Sequence, residues 1–322
     1  MSSSMHQVVI VGAGQLGRRH LQGLVKSRQA LSIHIVDPSE AARSAVDEFV
    51  GSSEVALPPI QVHSGFDALP RELSLAIVAT TANQRLHAVE QLARAANTRH
   101  LVLEKFLFNN SDEYERASRL FDEHGMIAWV NTPRRHFSVY RGIRENTQHD
   151  RLLQFTVDGG DWGLCCNSVH FVDLAQFLAG TAELRHLSSH FDDEVLKSKR
   201  DGYVELTGEI RGEIGSAQFC VRSIRGSTKP ITVTLHYEQQ TIFVAEGSGT
   251  LWRIGQGPVE ATAFRLPYQS EMTGLIADQL LSTGSCDLTP YADSAAAHLP
   301  LLRAFAQRAG QTDGSSSRCA IT

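Results

Sequence analysis

The chain has 322 residues, 42% hydrophobic and 20% charged, with a formal net charge of -5 at pH 7. That length suits about two domains with ample core, and the acidic balance, with a pI near 6.3, excludes the basic footprint of a nucleic-acid binder. There is no apolar run of the roughly 18–20 residues that a membrane span needs and no leader pattern at Met1–Met5, so the expectation is a cytoplasmic protein without membrane or nucleic-acid partners.

The first predicted strand is the apolar run Val8–Val11, and a helix is expected over Arg18–Ser27. Between them stand Gly12, Ala13, Gly14, Gln15, Leu16 and Gly17. A G-x-G-x-x-G that closes a strand and opens a helix is the fingerprint of dinucleotide binding. Gly12 permits a tight turn, Gly14 lets a pyrophosphate approach the backbone, and Gly17 lets helix and strand pack closely. The free N–H groups at the helix start would face the phosphates. The second strand, Leu31–Val36, ends in Asp37. An acid about 20 residues past the glycines can accept hydrogen bonds from an adenosine ribose and would repel a 2′-phosphate, which favours NAD. Arg43, close by in sequence, leaves NADP possible. Asp37-Pro38-Ser39 is also good turn chemistry.

A short strand near Ile60–Val62 and a stronger one, Leu73–Ala79, follow. A helix is expected over about Asn83–Ala96, with its apolar residues at helical spacing. Leu101–Leu103 reads as the fifth strand. Asn110 to Glu113 reads as a capping box that opens a helix to about His124, stopped by Gly125, and Met126–Val130 is the sixth strand. Strands alternating with helices imply a doubly wound parallel sheet covered on both faces.

Past residue 130 the pattern changes. A long helix, Leu164–Ala179, ends at Gly180. Strand-like segments at 184–191, 203–210, 217–224, 231–237 and 241–245 have no long helix between them and should pair as an antiparallel sheet. Helices near Gln269–Ser282 and Tyr291–Arg308 close the chain. The expected organisation is a Rossmann domain over 1–130, an α+β domain on an open antiparallel sheet over 131–309, and a disordered tail over 310–322. The five cysteines match no disulfide or zinc framework, so no metal is expected. Cys165 and Cys166 read as small apolar residues of a buried helix.

Three further stretches resemble the glucose–fructose oxidoreductase and inositol dehydrogenase family. Ala79-Thr80-Thr81-Ala82-Asn83, followed by His87, resembles its nicotinamide-side loop. Glu104-Lys105-Phe106 resembles its Glu-Lys-Pro signature, and Gly163–Asp173 resembles its helix carrying a catalytic His, here His170. The resemblance implies an NAD(P)-dependent oxidoreductase acting on a sugar, sugar acid or nucleotide sugar, a homodimer or homotetramer in assembly. It places Thr80, Asn83, His87, Glu104 and Lys105 at the cofactor and Lys105, Asn167 and His170 at the substrate. Two departures stand out. Cys166, beside Asn167, replaces the family's Asp four residues before the His, and Phe106 replaces the Pro.

The chemistry of these residues can be argued independently. A lysine ammonium at a strand's carboxyl end could bind the reacting oxygen and ease loss of its proton. His170 titrates near neutrality and could carry that proton. The alternative readings are a surface pair with Glu104 for Lys105 and a hydrogen-bonded core histidine for His170. Arg134 and Arg135 could grip a carboxylate or phosphate bidentately, or brace the fold. Trp162 and Tyr268 could stack on a sugar face. Two other functions stay open: a cofactor-sensing regulator without catalysis, and an NAD-assisted glycoside hydrolase.

Overall fold

The computed structural model describes residues 5–314 and 316–321. Met1–Ser4, where the leader reading partly rests, and Thr322 lie outside the described residues. The chain divides into two compact units. One takes the chain as far as Phe108, with Glu113–Asn131 and Pro267–Tyr291. The other takes Asn109–Asp112, Thr132–Leu266 and the chain from Ala292.

In the first unit, β1 (His6–Val11), α1 (Gln15–Leu24), β2 (Leu31–Val36), α2 (Glu40–Gly51), β3 (Ile60–His63), β4 (Glu72–Val78), α3 (Ala82–Ala95), β5 (Asn97–Leu103), α4 (Asp112–His124) and β6 (Ile127–Val130) alternate in order. The strands lie side by side as β6-β5-β4-β1-β2-β3 and pair in parallel. This is the doubly wound Rossmann order, whose ligand crevice lies at the carboxyl ends where the order reverses, between β1 and β4. Burial on both faces explains the unbroken apolar runs: Val8, Val9, Ile10, Leu75, Ala76 and Val78 are fully buried. Helix α2 went unread in the sequence; its start is capped by Ser39 Oγ, which accepts from the Ala42 N–H.

The helix Gln269–Thr283, expected in the second domain, belongs to this unit. It packs on α1 glycine to glycine: a Cβ at Gly274 would stand 2.6 Å from the Gly23 carbonyl oxygen. The strand Thr289–Pro290 that follows adds antiparallel to β6.

The second unit opens on a one-turn helix, Pro133–His136, then α5 (Ser138–Asn146), β7 (Leu152–Gly160) and α6 (Leu164–Ala179). Its strands are β8 (Leu184–Phe191), β9 (Leu196–Lys197), β10 (Val204–Glu205), β11 (Gly208–Ile214), β12 (Ala217–Ile224), β13 (Thr232–Tyr237), β14 (Thr241–Ala245), β15 (Thr250–Ile254) and β16 (Glu260–Ala263). Seven of these and β7 form one sheet, in the order β16-β15-β14-β13-β7-β12-β11-β8. The unread strand β7 lies near its middle and pairs in parallel with β12, so the sheet is mostly rather than wholly antiparallel. The single strand expected over 203–210 is two, β10 and β11, the second starting at Gly208.

The described residues of the tail expected to be disordered are paired and anchored instead. After the helix Tyr291–Ala309, Gln311–Asp313 pairs with Ser316–Arg318. Cys319 donates its N–H to the Asn109 carbonyl at 3.0 Å, and Cys319 and Ile321 are buried. The polar composition of 310–318 hid two apolar anchors beyond it.

Candidate active site

The glycine loop has the geometry its sequence demands. Gly12 takes φ 96°, a left-handed conformation costly for other residues, and donates its N–H to the Val36 carbonyl at 2.8 Å. A Cβ at Gly17 would stand 1.8 Å from the Gly12 carbonyl oxygen, whereas one at Gly14 would meet nothing within 4 Å. Gly14 caps α1, and no side chain caps that end; Gln15 is exposed and Leu16 half-buried. An open, uncapped helix start suits an anion. The Asp37 carboxylate sits against this loop, accepting from the Ala13 N–H at 2.6 Å and from the Ser39 N–H at 2.8 Å. The turn reading of Asp37 holds, and the same carboxylate lies beside the glycine loop. Arg43 donates to the carbonyls of Asp37 and Pro38, each at 2.8 Å.

Beyond β4, the Ala79 N–H bonds the Val11 carbonyl at 2.8 Å, which sets the next loop beside the glycines. Thr80 Oγ1 is buried and finds no partner among the described residues, an orphaned group that a bound ligand would satisfy. The Asn83 carboxamide oxygen accepts from Thr81 Oγ1 at 2.7 Å. Asn83 and His87 are exposed one turn apart on α3. An open cradle at Gly14, an acid at the ribose position and an orphaned hydroxyl all fit a nicotinamide dinucleotide.

Glu104 and Lys105 follow β5. Glu104 is buried rather than a surface carboxylate. It accepts from Asn131 Nδ2 at 2.5 Å and lies 2.9 Å from His20 Nε2. His20 Nδ1 meets Thr273 Oγ1 at 3.0 Å, Gln269 Nε2 donates to that hydroxyl at 3.0 Å, and Asn131 Nδ2 donates to Gln269 Oε1 at 2.9 Å. The five side chains close a ring. Burial alone would push the Glu104 carboxyl up, but the His20 bond and charge, Asn131 and the Arg85 charge hold it below the usual carboxylate range. Lys105 is half-buried, and its peptide bond to Phe106 is cis.

Arg85, in the first turn of α3, is buried and went unremarked in the sequence. Its guanidinium donates to the carbonyls of Phe106, Leu107 at 2.6 Å and Thr80 at 2.5 Å. His20 and Arg85 read as surface positions by residue type. The one available signal was their periodicity, which puts His20 with Gly17, Leu21 and Leu24, and Arg85 with Ala82, Leu86 and Val89.

In the second unit, His170 is buried on α6. Asn167 donates to the Trp162 carbonyl at 2.8 Å. No side chain from Gly163 caps α6; Glu205 does so from β10, accepting from the N–H of Cys165 at 2.5 Å and of Cys166 at 3.3 Å. A carboxylate therefore stands at the first turn of α6 although position 166 is a cysteine. Burial pushes Glu205 up, against the pull of these backbone bonds.

The arginine pair is committed internally. Arg134 makes two bonds of 2.9 Å to Glu246, and its guanidinium lies 4.2 Å from the centre of the Phe171 ring. Arg135 bonds Asp173 at 3.0 and 2.7 Å. Their donor forks are filled by carboxylates, so the bracing reading replaces the substrate grip. Trp162 is likewise part of the interior, donating to the Arg222 carbonyl at 2.8 Å, while Tyr268 in the first unit is 71% exposed.

Comparison with known proteins places this geometry. No curated protein sequence matches the chain. Among solved structures, an oxidoreductase from Agrobacterium radiobacter, in complex with NAD+, L-tartaric acid and magnesium, is 14% identical, with a TM-score of 0.74 over 98% of each chain. Biliverdin reductase from Synechocystis sp., in complex with biliverdin and NADP+, is 16% identical, with a TM-score of 0.73 over 95% of this chain and 99% of its own. The WlbA dehydrogenase from Bordetella pertussis, in complex with NADH and UDP-GlcNAcA, is 16% identical, with a TM-score of 0.71 over 100% of both. At such identities the likeness shows the fold. The family model described as an oxidoreductase family with an NAD-binding Rossmann fold matches residues 6–132. The matched residues hold the glycine loop, Asp37, the Thr80 loop and the Glu104–Lys105 step, so this part of the chain is similar to the NAD-binding Rossmann domain of that oxidoreductase family.

Proposed function

We propose that this protein transfers a hydride between a nicotinamide coenzyme, NAD in preference to NADP, and a hydroxyl or ketone of a sugar, sugar acid or nucleotide sugar. The observation that carries it is Lys105, placed directly after the buried, hydrogen-bonded Glu104 at the carboxyl end of β5, in the unit whose glycine cradle is open. The similarity to the WlbA dehydrogenase, solved with NADH and UDP-GlcNAcA, supports the substrate class. Gly12 to Gly17 would hold the pyrophosphate, Asp37 the adenosine ribose, and Thr80, Asn83 and His87 the nicotinamide side. The bound coenzyme supplies the hydride acceptor. The Lys105 ammonium binds the reacting oxygen and stabilises its developing negative charge. His170 takes the hydroxyl proton, with Asn167 beside it on α6.

The test is reduced-nicotinamide absorbance with NAD and a panel of sugars, sugar acids and nucleotide sugars. Lys105→Ala should lower kcat by roughly 10²–10³-fold, and His170→Ala by about 10²–10⁴-fold with a flattened pH profile. No turnover on any of the panel, with tight coenzyme binding, would favour a coenzyme-sensing regulator, the reading that Cys166 supports. Self-association belongs to the same proposal: Phe243 and Trp252 face each other across β14 and β15, both partly exposed, and would contribute an apolar patch to a homodimer or homotetramer. The protein is proposed to act in the cytoplasm; among the described residues no helix is long and apolar enough to cross a membrane.

A further inference from the structure

Downstream of Lys105 the chain leaves the sheet and turns inward. Phe106, Leu107 and Phe108 are fully buried, and β5 ends at Leu103, so no strand ladder serves their carbonyls there. A buried carbonyl needs a donor. Arg85 supplies one to Phe106 and one to Leu107 at 2.6 Å, both from Nη1, while Nη2 serves the Thr80 carbonyl at 2.5 Å. Arg85 is itself 1% exposed, among the largest fully buried side chains of the protein. A guanidinium can hold three carbonyls at once because its donors form a rigid planar fork; a lysine ammonium is a compact point on a flexible stem. Glu104, one residue before Lys105, lies within the electrostatic reach of Arg85, which offsets the burial of the cation.

We propose that Arg85 is a positioning residue, whose guanidinium fixes the Lys105 turn and the Thr80–Asn83 loop as one rigid wall of the coenzyme site. The inference rests on the proposed role of Lys105 and adds to it a residue that touches neither coenzyme nor substrate. The glycine cradle is anchored separately, through Gly12 to the Val36 carbonyl and Ala13 to Asp37. Losing the clamp should therefore spare the pyrophosphate and ribose end of the coenzyme site while loosening the nicotinamide-side loop and the lysine. A small misplacement of a catalytic group costs on the order of 10²-fold in rate.

The test uses the full chain with Arg85→Met and Arg85→Lys. The second keeps the charge and remains available where the first fails to fold. Backbone hydrogen exchange is followed on peptides covering 6–17, 80–84 and 104–108, and NADH binding by its fluorescence. Exchange in the 80–84 and 104–108 peptides should speed up by about tenfold or more, as expected for a locally opened segment. The 6–17 peptide should stay unchanged, and NADH affinity should fall less than kcat does, because the separately anchored glycine cradle and Asp37 still hold the rest of the coenzyme. Turnover on the substrate found by the panel should fall roughly 10–100-fold in kcat with KM little changed. Unaltered exchange at 80–84 and 104–108, or an acceleration that extends equally to 6–17, would overturn the clamp. Normal turnover by Lys105→Ala would remove the lysine reading instead, an outcome distinguishable because the exchange measurement needs no substrate.

Discussion

His20 Nε2 and Glu104 Oε1 lie 2.9 Å apart in the interior of the first unit. The contact ties the helix behind the glycine loop to the residue before the lysine. Thr273, Gln269 and Asn131 complete the ring, so the two halves of the candidate coenzyme site and the helix Gln269–Thr283 share one polar network. A fully connected buried network holds its members in one arrangement, because any departure leaves an unpaired group in a low-dielectric interior.

Breaking the ring from one side is costly. Glu104→Ala leaves His20 without its acceptor and should destabilise the protein by about 3–5 kcal/mol, as for a buried pair that loses one partner. The pH dependence has a definite sign. The Glu104 carboxyl is held low in the folded state, against burial, chiefly by His20. Its contribution is therefore fully present above the ordinary carboxylate pKa of 4.5 and is lost as pH falls through the lower folded value. Urea unfolding at pH 7 and at stepwise lower pH should show the gap between wild type and Glu104→Gln closing as acid is added. A gap that stays constant with pH would contradict an ionised Glu104.

Arg134 gives a second stability prediction and separates bracing from binding. Its bonds to Glu246 are joined by Tyr140, whose hydroxyl donates to Glu246 Oε1 at 2.7 Å. Burial pushes Glu246 up, but the charge and hydrogen bonds of Arg134, with the Tyr140 bond, bring it below the usual range. Arg134→Ala should cost about 3–5 kcal/mol and leave the substrate KM of the surviving folded enzyme unchanged. A raised KM without loss of thermal stability would restore the arginine to the substrate.

The fold was legible wherever residue type and periodicity agree. Val8–Val11 before Gly12 announces a buried parallel strand, and Gly17 has the packing role its place in the motif requires. The arginines failed because Arg134 and Arg135 carry the same two forks whether they hold a ligand or Glu246 and Asp173, and sequence does not reveal which carboxylates lie opposite. Glu205, the cap of α6, stands 40 residues from the N–H it serves, a separation that no local capping pattern spans. Strand β7 went unread although Gln154, Thr156 and Asp158 alternate with Phe155 and Val157 at strand period; the Gly159-Gly160 step that ends it reads locally as a loop.

Coenzyme choice turns on Asp37. The carboxylate that would meet an adenosine ribose also holds the Ala13 N–H, so it is pre-positioned at the glycine loop. NAD should bind more tightly than NADP. Asp37→Ala should narrow that preference by roughly 10–100-fold, the scale of a hydrogen bond to a charged group. Arg43, fixed nearby on the Asp37 and Pro38 carbonyls, would then be free of the opposing charge. Equal affinities in the unmutated protein would remove the ribose assignment.

The glycines allow the sharpest separation of fold from function, because two positions of one motif have opposite surroundings. A side chain at Gly14 enters open space, with nothing within 4 Å, while a Cβ at Gly17 falls 1.8 Å from the Gly12 carbonyl oxygen. Gly14→Val should therefore fold with a melting temperature close to wild type and fail to bind NADH, since its side chain fills the space of the pyrophosphate. Gly17→Val should lose both, because backbone must move to admit it: α1 is driven off β1, and overpacking of a tight contact costs about 1–3 kcal/mol or more. Circular dichroism melting and NADH fluorescence titration measure the two effects separately. A Gly14→Val protein that binds NADH as wild type does would show that this loop is only a turn, and the coenzyme reading of the first unit would fall with it.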